Sequence, residues 1–292
     1  MATITANGVH LAYDQAGVGS SVVWVHGGFT DRRGADLIVP LLAQRYRMIT
    51  YDRRGHSQSE RVPGHQDVTI HVSDLAALIE RLDAAPAHLL GNSDGGEIAF
   101  KLALRRPELV ASLCVHEPSL QGIVADDPEG GEQVLQDVQA GFARVIVELE
   151  RGNNEAAARL VIEIFVGGPG AWDALPEQTR RTLVHNAPTW LDTVHDPTYG
   201  TLDLDKLTGI TVPVLLTEGA HGHPMDAMIV ARLAAALPHA SRHTFPDAGH
   251  IPHRTHPDEF AGVVLAFLDD VTSRRPPAGT GARTWHTPAR QP

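Results

Sequence analysis

Three stretches of the chain hold residue types that could work together as one chemical set. Gly91-Asn92-Ser93-Asp94-Gly95 flanks a serine with glycines. An apolar run precedes it and a helical pattern follows, so the spacing predicts a sharp strand-to-helix turn that exposes the hydroxyl. A β-carbon at 91 or 95 would crowd that turn. The helix N-terminus beneath the serine would aim backbone N–H groups at developing negative charge. Such a serine can attack a carbonyl if a base takes its proton and two N–H donors receive the oxyanion. The expected donors are the amides of Asp94 and of Gly28, the latter in His26-Gly27-Gly28 after a buried strand. The expected base is His250, in Pro246-Asp247-Ala248-Gly249-His250 after the last strand. His253 and His256 compete for that role but lie beyond Pro252, toward the next helix.

The elements that must position this set alternate along the chain. Residues 1–19 read as two strands joined at Asn7-Gly8. Apolar strands follow at 21–25, 47–51, 88–90 and 110–115, separated by helical patterns at 35–45, 68–83 and 95–106. Residues 119–205 break the alternation with helical stretches near 131–151, 154–166 and 176–194. Strands at 212–217 and 241–245 and helices at 225–237 and 257–270 then resume it. This pattern predicts an α/β fold with a mostly parallel sheet and helices on both faces. Its core is 1–118 with 206–273, and 119–205 is a helical lid over the carboxyl ends of the strands. Residues 274–292, rich in Arg and Pro and free of acids, read as a tail.

Bulk properties narrow the function. The formal net charge is −11, which argues against nucleic-acid and anionic-membrane partners. No run of 18 apolar residues and no basic-then-apolar start is visible, and the single cysteine, Cys114, lies in an apolar strand. A cytoplasmic location is the expectation. Histidines cluster at His221 and His223 and at His250, His253 and His256, but no Cys, Asp or Glu completes a familiar ligand spacing. Neither a metal nor a cofactor is expected.

Taken together, His26-Gly27-Gly28, Asp52-Arg53-Arg54-Gly55-His56-Ser57-Gln58-Ser59, Gly91 to Gly96 and Asp247 to His250 resemble the α/β-hydrolase superfamily. The resemblance spans about residues 8–270, with Ser57 in place of a usual glycine. It implies a serine hydrolase whose acid stands in the loop after strand 212–217, three residues past a glycine. That slot holds Gly222. Asp226 stands four residues further, where it would cap the next helix, and Glu218 precedes the glycine. Glu117 offers another route. It ends the strand after the nucleophile's own, close enough to reach a histidine beside Ser93. His116-Glu117 resembles the pair at that strand end in zearalenone lactonases, which implies Glu117 as the acid. Ser93-Asp94-Gly95-Gly96 resembles the segment of valacyclovir hydrolases, which implies that Asp94 meets a cationic or hydroxyl group of the substrate.

The expected reaction is cleavage of an ester or lactone of a bulky, partly apolar molecule through an acyl-enzyme. Phe29, Phe142, Ile146, Phe165, Trp172, Trp190 and Leu191 are candidates to line the pocket. Perhydrolysis, C–C cleavage, lyase or cyclase chemistry at the same site, and a non-catalytic ligand receptor, are the rival readings. Oligomeric state has no signature in the chain.

Overall fold

Asn7 and Gly8 take left-handed φ angles of 47° and 79° and turn β1 (Ala2–Ala6) into β2 (Val9–Ala16). The computed structural model describes residues 1–62, 64 and 67–274, the side chain of Arg274 excepted. From there strands and helices alternate: β3 (Ser21–Val25), α1 (Val39–Leu42), β4 (Arg47–Tyr51), α2 (Val68–Arg81), β5 (Ala87–Asn92), α3 (Asp94–Arg105) and β6 (Val110–His116). Next come α4 (Gly131–Glu150), α5 (Asn154–Val161), α6 (Ala171–Ala174) and α7 (Glu177–Val194). The chain closes with β7 (Val214–Gly219), α8 (Pro224–Ala236), β8 (Ser241–Phe245), α9 (Pro252–Thr255) and α10 (Pro257–Arg274).

The strands form one sheet in the order β1-β2-β4-β3-β5-β6-β7-β8. The β1–β2 and β2–β4 pairs are antiparallel; every later pair is parallel. Buried strand residues alternate between two apolar layers, as the pleat requires. Val23, Val25, Leu89 and Val115 pack with α2, α3 and α8; Val22, Trp24, Leu90 and Cys114 pack with α1 and α10. Both faces of the sheet are therefore covered. The parallel strands β3, β5, β6, β7 and β8 all deliver their carboxyl ends to one edge.

The helices between β6 and β7 carry a third apolar cluster, with Val145, Leu149, Ala158, Trp172, Leu183 and Trp190 at its centre. Phe29, from the loop after β3, is buried in this cluster. Polar ties dock the insertion on the sheet edge. Asn186 accepts from the Ser57 amide at 2.8 Å and donates to the Thr30 carbonyl at 2.9 Å. Thr189 donates to the Gly55 carbonyl at 2.9 Å, and the Gly200 amide donates to Glu97 at 2.9 Å. Ser57, at the position where the resemblance leads one to expect glycine, keeps φ at +43°. Its hydroxyl donates to Asp31 at 2.9 Å, which together with the Asn186 bond holds the strained turn.

Several boundaries differ from the sequence reading. Residues 35–45 are not one helix: a 3-10 turn at Arg32–Ala35 is followed by the single turn α1. Pro40, with no N–H to donate to the preceding turn, works against a continuous helix there. β7 starts at Val214, because Pro213 lacks an N–H and offers only its carbonyl, to Leu113 N. α5 continues as a π-helical turn at Ile162–Val166. The tail read at 274–292 lies outside the described residues, apart from Arg274 at the end of α10.

α3 crosses β3 in close contact: a β-carbon on Gly95 would overlap the Val25 carbonyl. Gly95→Ala is expected to cost about 3 kcal/mol of stability, read as a lowered urea midpoint with an unchanged slope.

Candidate active site

Ser93 sits between β5 and α3 with φ 55° and ψ −124°, a conformation few side-chain-bearing residues adopt. The glycines explain how the turn closes. A β-carbon on Gly91 would stand 2.6 Å from the Gly95 carbonyl oxygen, and Gly95 itself is pressed against β3. Ser93 Oγ meets Ser119 Oγ at 3.1 Å, and among the described residues it forms no hydrogen bond to His250. In a ligand-free site a nucleophile–base bond often forms only with substrate.

The loop after β3 runs beside the serine. The Gly27 carbonyl accepts from Thr30 Oγ1 and from Arg53, both at 3.0 Å, which fixes the peptide that carries the Gly28 N–H. The Asp94 amide opens α3, where no intrahelical acceptor exists. Gly28 and Asp94 both line the cavity beside Ser93. His26 supports the loop from below: its Nε2 accepts the Arg53 amide at 2.9 Å. Burial and the Arg53 charge hold His26 well below the usual histidine range, so it is a neutral structural imidazole. The Asp94 side chain is already engaged. Tyr199 OH donates to it at 3.0 Å, and the Arg53 guanidinium stands 3.6 Å away. A substrate cation would therefore meet a compensated charge, which weakens the expectation drawn from the Ser-Asp-Gly-Gly resemblance.

His250 lies on the loop after β8, and its Nδ1 is 2.7 Å from Glu117 Oε2. Glu117 ends β6 with φ +41°, and its other oxygen accepts the Gly219 amide at 2.7 Å. Asp226 approaches the same imidazole at 3.7 Å. It does not cap α8; His223 does, accepting from Met225 N, with Pro224 at the first helical position. Burial alone would raise the Glu117 pKa. The hydrogen bond from His250, the charges of His116 and His250 and the Gly219 amide outweigh it and hold the carboxyl down at about 2. Burial, reinforced by the Glu117 charge, pushes Asp226 the other way, toward the neutral acid. Burial also opposes protonation of His250, but the Glu117 bond and the Asp226, Glu117 and Asp94 charges raise it to about 9. Gly222 explains the layout. A β-carbon there would stand 2.6 Å from Glu117 Oε1, so the carboxylate already fills the space a residue-222 side chain would enter. Glu218 points elsewhere, accepting from Arg242 and Thr244 of β8 at 2.8 Å each.

His116 Nε2 stands 3.6 Å from Glu117 Oε2, whereas the two histidines that compete with His250 in the sequence do not meet that carboxylate. His253 is buried with its ring 4.8 Å from that of Trp24, and His256 pairs with its neighbour Thr255. The donor atoms of Glu117, Asp226 and His250 lie within 4.8 Å of one another, a spacing that could hold a metal ion. The imidazole–carboxylate bond already uses two of them.

A cavity of about 600 Å³ opens over Ser93. Phe29, Phe142, Phe165 and Trp190 line it, as the sequence suggested. Trp172 does not: it is 1% exposed in the insertion's own core, with the Arg159 guanidinium over its ring. Ile146 and Leu191 also pack into that core. Helical periodicity marks a buried stripe but not which neighbour buries it. Ser119, Tyr199, Leu183 and Met225 line the cavity as well and went unread. A lone hydroxyl or phenol far from the motifs has no spacing that marks it.

The electrostatics make a direct expectation. In NMR titrations of the free protein, the His250 ring should titrate near 9. Glu117→Gln removes the carboxylate bond to Nδ1 and one of the charges that oppose burial, so the midpoint should fall. An unmoved midpoint would show that Glu117 does not hold the proton on His250.

Comparison with known proteins agrees with this architecture. The family described as alpha/beta hydrolase fold matches residues 20–257. BpoC of Mycobacterium tuberculosis, which carries a non-heme bromoperoxidase name, is 30% identical over 276 residues, 90% of this chain and 99% of the relative. The zearalenone hydrolase of Bionectria ochroleuca is 26% identical over 269 residues, 89% of this chain and 94% of the relative. The solved thermophilic esterase of Thermogutta terrifontis superposes with a TM-score of 0.73 at 25% identity, covering 92% of this chain and 98% of the other. The chain belongs to the α/β-hydrolase fold family.

Proposed function

We propose that the protein is a serine hydrolase that cleaves an ester or lactone of a bulky, partly apolar small molecule through an acyl-enzyme. The observation that carries this reading is the buried His250–Glu117 bond beside Ser93, on the floor of the cavity. In this reading Ser93 Oγ attacks the carbonyl carbon while His250, in the deprotonated form that prevails above its raised pKa, takes its proton. The Gly28 and Asp94 amides receive the oxyanion. His250 then protonates the leaving oxygen, and water releases the acid by the same steps in reverse. Glu117 keeps the Nδ1 proton in place and stabilises the imidazolium, while Asp226, 3.7 Å from the same nitrogen, adds to that stabilisation only when it is ionised. Every step uses groups of the chain and water. Residues 119–205 act as a lid whose aromatic face receives the substrate. The names of the zearalenone hydrolase and the Thermogutta esterase support ester or lactone chemistry.

The name of BpoC favours a second reading, in which hydrogen peroxide takes the acyl group and leaves as a peracid. Peroxide-dependent bromination in an acetate buffer would reveal it.

A fluorophosphonate probe should label the wild type on Ser93 and leave Ser93→Ala unlabelled. Glu117→Gln should lower kcat by about a thousandfold on an ester panel, against less than about tenfold for Asp226→Asn. The reverse ranking would return the acid to the strand after β6.

A further inference from the structure

The nucleophile has a second hydroxyl beside it. Ser119 Oγ lies 3.1 Å from Ser93 Oγ, and both residues line the cavity. The backbone fixes Ser119 firmly. Its amide donates to the Ser93 carbonyl at 3.1 Å, and the Glu117 amide donates to the Thr217 carbonyl at 3.1 Å. Pro118, between them, packs so closely on α3 that a β-carbon on Gly96 would stand 2.9 Å from its Cβ. The hydroxyl itself is not needed for these contacts. Among the described residues, Ser93 Oγ is the hydrogen-bond partner of the Ser119 side chain.

Sheet order decides which side of the reaction Ser119 serves. β5 lies between β3 and β6. Gly28 follows β3, whereas Glu117 and Ser119 follow β6. The oxyanion loop and Ser119 therefore flank Ser93 from opposite sides, and Ser119 shares its side with Glu117, which holds His250.

We propose that Ser119 positions the water that releases the acyl group from Ser93; this rests on the acyl-enzyme reading above. Once Ser93 Oγ is esterified it has no proton to donate and can only accept from Ser119, whose own lone pairs are then open to another donor. A water between His250 and the acyl carbon has two O–H bonds. One points to His250 Nε2; Ser119 Oγ accepts the other and turns an oxygen lone pair toward the carbonyl carbon. As the new C–O bond forms, His250 takes the first proton. The bond from carbon to Ser93 Oγ then breaks, and that proton passes from His250 to Ser93. The products are the free acid and free Ser93, with Ser119 unchanged.

The test compares wild type, Ser119→Ala and Ser119→Thr on p-nitrophenyl and phenyl butyrate. Loss of one hydrogen bond to the water should slow deacylation about tenfold in Ser119→Ala. A burst of one nitrophenolate per enzyme should appear, and kcat should become equal for the two leaving groups. With added methanol, the ratio of methanolysis to hydrolysis should also rise about tenfold, because methanol has one O–H and needs no second acceptor. Ser119→Thr keeps the hydroxyl and should behave as wild type. If Ser119→Ala melts early, Ser119→Cys keeps the volume, weakens the acceptor and should give the same shifts. An unchanged methanol ratio, or slowed acylation without a burst, overturns the proposal. Fluorophosphonate labelling separates the two failures. A labelled Ser93 with an unmoved ratio rejects Ser119 alone; an unlabelled wild type rejects the acyl-enzyme itself.

Discussion

Behind His250 there is room for one ionised carboxylate, and much of the site is arranged around which strand supplies it. Glu117 reaches that position from β6 by adopting a left-handed backbone at the strand end. The Gly219 amide meets its far oxygen, and Gly222 stays bare so that the carboxylate fits. Asp226, pressed against the same pair, answers by holding its proton, since two adjacent buried anions would repel strongly. Moving the acid from the β7 loop to β6 therefore involves at least four positions. The glycine where an aspartate is expected leaves the space that the Glu117 carboxylate fills.

Electrostatics on the opposite side of Ser93 follow a different logic. Arg53 is almost fully buried beneath the oxyanion loop, bonded to the Gly27 carbonyl and facing Asp94. A buried cation needs a partner, and here it is Asp94, the residue after Ser93. Tyr199 completes the arrangement from the insertion side. The side chain of Asp94 thus serves the scaffold while its backbone faces the cavity.

Legibility in the sequence tracked how local each constraint is. The Ser93 turn was readable because Gly91 and Gly95 leave no space for a β-carbon, and that demand is written in five consecutive residues. His250 and Glu117 were readable as strand ends, since a parallel sheet brings such ends to one edge. What escaped was set by packing. Trp172 and Trp190 both belong to the insertion's apolar cluster, yet of the two Trp190 alone also lines the cavity. The helix expected at 35–45 failed for a local reason that was available, Pro40 within it. Ser119 escaped because its position depends on the path of the chain after Glu117.

Phe29 belongs to two structures at once. It follows Gly28 in the loop beside the nucleophile, and its ring is buried in the apolar cluster of the insertion. Its backbone sits at φ +61°, a conformation that the surrounding packing must hold. Lifting the insertion to admit a large molecule would pull this ring from its socket and release the loop. The position of the loop that carries Gly28 is thus coupled, through one ring, to the seating of the helices above it.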